Sequence, residues 1–312
     1  GVMLSKPYGN PLTDGFDPTG NGGILNALYA RFENNRRSVG FGAYTATNST
    51  SYISLCTFVN TTRPVAQAVS LLNIHGVSFA GNTFTSNLAL SDTNRGVAVF
   101  SIDADYTFSP FFNTRNTFSN YFRGIEIHNT VPFGAFTNKT LVNRSDFTNC
   151  NRAVYFAGID YSKISECTFT LNPSFTSTEG DYNPYCVYLD GCNYYWCQNN
   201  TFNSYISLPA SPLQAGTYYY PKALMVNNNS TVNTQIRKNT VSGFWTGFNP
   251  VGINGGINAQ SQNAGLQFKC NTFNNRYDLY LSASPLTFGS LHPQQGYCIQ
   301  ASSDPNYKYA PA

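Results

Sequence analysis

Residues 79–86 read FAGNTFTS, residues 164–171 ISECTFTL and residues 236–243 IRKNTVSG. Each carries an apolar residue, a threonine four positions on, and a large apolar residue directly after it. The phrase recurs nine times, with Phe32, Phe58, Phe84, Phe118, Phe147, Phe169, Phe202, Val241 and Phe273 as its anchors. Thr precedes the anchor at 57, 83, 117, 168, 201, 240 and 272, and the residue before that is small or amide-bearing, as in Cys56, Asn82, Asn116, Cys167, Asn200, Asn239 and Asn271. The anchors are 26, 26, 34, 29, 22, 33, 39 and 32 residues apart. Such periods mark a repeat architecture, in which each unit buries its apolar face against the next. Their irregularity argues against helical repeats, while stacked β-coils tolerate insertions wherever a turn projects into solvent.

Within each copy the apolar signal has period two. Ile53, Phe79, Val142, Ile164, Ile236 and Phe268 stand five residues before their anchors with polar residues interleaved, which is the pattern of a strand buried on one face. An apolar-x-apolar triplet follows each anchor: Val39, Val69, Val97, Ile125, Val154, Val187, Leu224, Val251 and Leu279 open the nine triplets. Each coil is therefore expected to hold short inward-facing strands joined by a bend. Asn34, Asn60, Asn120, Asn149 and Asn275 sit two residues past the anchor, where asparagine tolerates left-handed backbone and its amide can bond to the next coil. Phe and Asn ladders along the axis are the expectation.

These residues resemble right-handed parallel β-helix repeat proteins. The resemblance covers residues 24–283 and implies an all-β solenoid of about nine coils, a rod about 43 Å long at about 4.8 Å per coil. Residues 1–23, Gly- and Pro-rich without periodicity, read as an N-terminal lead-in or cap, and residues 284–312 as a C-terminal cap or linker to further sequence. Its Asn-, Thr-, Tyr- and Phe-rich texture is similar to that of secreted and cell-surface β-helix proteins of Bacteroidetes, many of them cargo of the type IX route. That likeness implies an extracellular or cell-surface location. It also implies partners among other surface or secretion-machinery proteins, or glycans.

Composition points the same way. Charged residues make up 11% of the chain and aromatics 15%, against about 25% charged in an average protein. Solubility must rest on Asn, Ser, Thr and Tyr. A net charge of +3 with dispersed Lys and Arg does not suit nucleic acid, and no apolar run approaches the length of a membrane span. Gly1 is no initiator, so the chain reads as a processed product or a piece of a longer protein. The eight cysteines lack zinc-site spacing, and neither metal nor cofactor is expected. Cys56 and Cys167 read as small inward residues at the amide position. Cys186, Cys192 and Cys197 beside the longest insertions, with Cys270 and Cys298 about one coil apart, are disulfide candidates, which would imply an oxidising compartment.

Catalytic groups are scarce. Asp103 with Asp105, Glu126 with His128, Asp160 with Lys163, and Asp181 with Asp190 are the closest pairings of groups that could act as acid and base. Each also has a plain structural role. The aspartates fall where Asp caps bends, and Glu126 is the outward residue of its triplet, hence expected to face solvent with His128 on the same side. The distance from anchor to return triplet grows to 18 residues after Phe169 and 22 after Phe202. Both insertions leave one corner of adjacent coils, and loops on a rigid scaffold commonly bind. Tyr182, Tyr185, Tyr205, Tyr218, Tyr219 and Tyr220, with Tyr194, Tyr195 and Trp196 between the insertions, gather aromatics suited to stacking on sugars or anchoring a protein. A non-catalytic surface protein of structural, adhesive or assembly type is the leading expectation. A polysaccharide lyase or glycoside hydrolase on the same scaffold is the alternative.

Overall fold

Alternate burial in each copy of the phrase produces three short strands per coil. The computed structural model describes residues 2–5, 24–62, 66–88, 95–130, 139–175, 184–208, 220–227, 234–254, 265–282 and 290–291; at 2–5, 44, 45, 47, 253, 290 and 291 it describes the backbone alone. One coil has an approach strand Lys163–Ser165, an anchor strand Thr168–Leu171 and a return strand Tyr185–Asp190. The next repeats it with Trp196–Gln198, Thr201–Ser204 and Lys222–Asn227. All three pairs are parallel and in register, with Ile164 beside Cys197, Phe169 beside Phe202 and Val187 beside Leu224. No helix occurs among the described residues, and none is long and apolar enough to cross a membrane. The chain is a parallel β-helix and fits the right-handed form.

The anchor strands form one nine-stranded sheet. Seven coils lie between neighbours on both sides, so the nine copies give about seven enclosed turns. The anchor strands of the first and last coils have a neighbour on one side only, whereas the first return strand is covered by Val2–Ser5, paired with residues 39–42. Accordingly those two anchor strands, Arg31–Glu33 and Thr272–Asn274, keep intermediate or exposed residues throughout. Approach and return ladders merge into a single 18-stranded sheet because Gln67–Ala80 runs without a break from one ladder into the other.

Stacked rings fill the core. Phe32, Phe58, Phe84, Phe118, Phe147, Phe169 and Phe202 follow one another with centroids 4.6–4.9 Å apart and planes within 8°. Coil spacing dictates this distance, since neighbouring strands are about 4.8 Å apart. Val241 ends the stack. Phe273 beyond it meets Phe248 edge-on at 4.8 Å.

An amide ladder also runs along the axis, but two residues before the anchor. Asn82 Nδ2 donates to Asn116 Oδ1 at 3.3 Å, Asn200 Nδ2 to Asn239 Oδ1 at 3.0 Å, and Asn239 Nδ2 to Asn271 Oδ1 at 2.9 Å. Ser145 and Cys167 divide it into two segments. The asparagines past the anchor work differently: Asn34, Asn120 and Asn149 take left-handed backbone (φ 52, 61 and 53°). Asn34 Oδ1 accepts the Thr61 N–H and Asn149 Oδ1 the Asn172 N–H, each at 2.8 Å.

A second left-handed bend lies three residues before the anchor. Tyr29, Leu55, Gly81, Arg144, Glu166, Asn199, Lys238 and Cys270 adopt it, with φ between 47 and 64°. A non-glycine residue there costs about 1–2 kcal/mol. The bend persists because its N–H is bonded to the next coil, as in Leu55 to Ala80 O at 2.9 Å and Lys238 to Lys269 O at 3.0 Å.

Two return triplets differ from the sequence expectation. Val99 and Ser101, not Val97 and Val99, align with Val69 and Leu71, and Phe248 and Pro250, not Val251 and Ile253, align with Leu224 and Val226. Register with the neighbouring coil, not the local apolar pattern, selects the inward pair in both segments. Before each return triplet lies a buried column of small residues: Ser38, Ala68, Ala98, Gly124, Ala153, Cys186, Ala223 and Gly247.

Cys186, Cys192 and Cys197 form no disulfide, which corrects the expectation for these three. Cys56, Cys150, Cys167, Cys186, Cys192 and Cys197 are buried free thiols. Cys186 fills the small-residue column, Cys197 takes the inward approach position beside Ile164 and Ile236, and Cys192 Sγ donates to Phe156 O at 3.3 Å. All six are enclosed by the coils, and none of them forms a disulfide. Cys270 is disulfide-bonded, to a partner outside the described residues, where Cys298 also lies.

Candidate functional site

Outward positions of the return strands form columns along the rod. In one, Phe100, Glu126, Tyr155, Tyr188 and Met225 follow one another from coil to coil, and on one side of it run Arg123, Arg152, Tyr185 and Lys222. Charged and aromatic side chains from five adjacent coils thus share one face.

Glu126 is at the centre, and it is buried, with 3% exposure. This corrects the expectation of a solvent-facing carboxylate. Strand parity does aim it outward, but Arg123 and His128 from its own strand close over it. Glu126 Oε1 accepts from Arg123 Nη1 and from His128 Nε2, the latter at 2.8 Å. The His128 ring in turn lies 5.8 Å from Phe100 and 5.4 Å from Tyr155. Burial pushes the Glu126 carboxyl up, but the hydrogen bonds and charges of Arg123 and His128 outweigh it and hold the group below the ordinary glutamate value.

Asp190 is two coils away, its Oδ2 accepting from Tyr155 Oη at 3.3 Å and its Oδ1 from Asn227 Nδ2 at 2.8 Å. Two coil steps and two residues along the strand separate its backbone from that of Glu126 by about 12 Å. Burial and the Asp190 charge push the Tyr155 hydroxyl up to about 12. Arg152 lies between Phe122 and Tyr185, 5.3 and 5.4 Å from the ring centroids. Burial lowers the pKa of Lys222.

The remaining carboxylate pairs serve the backbone. Asp103 Oδ1 accepts the Thr130 N–H at 2.7 Å, Asp105 Oδ1 the Gly76 N–H at 2.8 Å, and Asp160 Oδ1 the Asn193 N–H at 3.0 Å. Among the described residues no group of three His, Cys, Asp or Glu side chains is arranged to hold a metal.

The predicted aromatics occupy several faces. Tyr185 is buried against Tyr188 on the return face, Tyr220 packs edge-on against Trp245 at 4.6 Å, and Tyr205 (59% exposed) follows its anchor strand. Trp196, 41% exposed, projects from the approach ladder beside Lys163 and Gln235. Asp181, Tyr182, Tyr218 and Tyr219 lie outside the described residues.

A further aromatic pair stands near Trp196. Tyr161 and Tyr194 stack with centroids 4.7 Å apart and planes within 2°, each 39% exposed. Both backbones are left-handed (φ 56 and 51°), and Lys139 Nζ lies 5.6 Å over the Tyr161 ring. Their equal offset, eight residues before Phe169 and Phe202, is the signal in the sequence that identifies them as one column. No family model matches the chain, and no curated protein matches it.

Proposed function

We propose that this protein is a non-catalytic β-helix that binds glycans through the ridge formed by Tyr161, Tyr194 and Trp196. The exposed coplanar pair carries this reading. Two large rings held parallel by the coil spacing present a flat apolar edge, and neighbouring Lys163 and Gln235 supply polar groups beside Trp196. Sugar rings combine apolar faces with hydroxyl rims and suit such a surface. Both tyrosines occupy strained left-handed backbone, and strain of this kind is a recognised marker of functional positions.

In this reading the rod is a spacer or adhesive element outside the cell, with surface proteins or glycans as partners. The low charge content supports that setting. The return-face cluster contributes stability rather than chemistry. A glycosidic general acid needs a raised carboxyl pKa, whereas Glu126 is held down by its contacts with Arg123 and His128.

The test is a double variant, Tyr194→Ala with Trp196→Ala, in glycan-array and cell-surface binding assays. A folded variant that loses binding supports the ridge. Binding equal to wild type, or turnover of a polysaccharide abolished by Glu126→Gln, defeats the proposal.

A further inference from the structure

The return face carries a second feature at its N-terminal end, separate from the aromatic ridge. In the column that holds Phe100 the two preceding coils have Ser70 and Gly40, and in the next column over Leu72 is preceded by Gly42. Side chains therefore shrink stepwise from Phe100 towards the first coil, and a recess of about 260 Å³ opens beside Gly42, with the Arg37 side chain lying over Gly40. Its walls are Leu72, Phe100 and Ile102, and Arg37 stands at its edge. A Cβ added to Gly42 would meet nothing within 4 Å, so no described side chain packs this space, which borders the backbone of Val2–Ser5.

We infer that the recess is a binding site for a planar aromatic carboxylate. Shape is the first argument. Two coil steps, about 9.6 Å, separate Phe100 from Gly40 with only the small Ser70 between them. The Phe100 ring has His128 on one side, 5.8 Å away and tilted by 48°. A flat ring laid on the opposite side continues the column at the spacing of the core phenylalanines, 4.6–4.9 Å.

Charge is the second argument. Arg37 Nη2 donates to Gln67 Oε1 at 2.8 Å, and among the described residues no carboxylate pairs with Arg37. The guanidinium keeps donors for a planar anion, whose two oxygens match its fork. An apolar slot with one cation at its edge selects a ligand with a flat apolar body and a single acid group.

Titration calorimetry of the full chain with naphthoate and with neutral naphthylmethanol tests this. Naphthoate should bind saturably at one site. Gly42→Leu should fill the recess and weaken binding by about tenfold or more, and Arg37→Gln should bring naphthoate down to the affinity of the alcohol. Phe100→Leu, which removes the stacking face, provides a second route to the same loss if Gly42→Leu does not fold. Absence of saturable binding by the wild type overturns the site. So does undiminished binding by a folded Gly42→Leu or Phe100→Leu variant.

Discussion

The side-chain amide of Asn200 donates to Oδ1 of Asn239 at 3.0 Å, and the Asn200 backbone N–H reaches the same oxygen at 2.9 Å. One side chain thereby satisfies two buried donors of the adjacent coil. Its own amide continues to Asn271 Oδ1 and Cys197 O. Replacing Asn239 with Ala leaves these groups unpaired in a site closed to water, at a cost of about 2–4 kcal/mol. Denaturant unfolding should show that loss, and an unchanged midpoint would refute a stabilising ladder.

Gly124 tests the column of small residues. A Cβ there would lie 2.5 Å from the Ala153 carbonyl oxygen and 3.1 Å from the Phe147 ring. Since backbone atoms of the next coil cannot move aside locally, Gly124→Ala should destabilise by about 1–3 kcal/mol. Gly42→Ala, with open space around its Cβ, is the matched control and should be near neutral in thermal melts.

Glu126 links stability to pH. Its folded pKa lies below the unfolded value of 4.5, so its contribution is complete above that value and is lost as pH falls through the lower folded one. Glu126→Gln should therefore reduce stability at neutral pH by about 2 kcal/mol and flatten the acid limb of the stability curve below about pH 5. If the variant and wild type lose stability in parallel on acidification, the carboxylate is not coupled to Arg123 and His128 as described.

Thiol chemistry checks the cysteine assignment. Burial pushes Cys150, Cys167 and Cys192 up to about 12, so none presents a thiolate at neutral pH. A disulfide-exchange reagent should leave all six described free thiols unlabelled in the native protein and label them after denaturation. Rapid native labelling, or six thiols missing after denaturation without reductant, would contradict the structure.

Much of this architecture was legible because inward positions tolerate few residue types. Phe at the anchor and Asn two residues before it recur since each must fit the same neighbour one coil away. The left-handed bend three residues before the anchor was not legible. Its side chain points away from the core, so Tyr, Leu, Arg, Glu, Asn, Lys and Cys all occur there. The asparagines past the anchor were read as the amide ladder, yet their oxygens accept from backbone N–H groups instead. The disulfide expectation for Cys186, Cys192 and Cys197 fails for a related reason: thiol chemistry suggests pairing, while the small apolar side chain also suits buried positions inside the coils.

By itself the sequence determined the stacked β-coils and the inward Phe ladder, because spacing and alternation alone dictate which side chains face inward. Tertiary structure decided what the outward side chains do. Strand parity placed Glu126 and His128 on one outer face, but only the neighbouring coils, with Phe100 above and Tyr155 below, show that this carboxylate is enclosed between cations and rings. In the same way Tyr161 with Tyr194 became one stack, and the glycines at 40 and 42 one recess, only once coil register set residues far apart in the chain about 4.8 Å from each other.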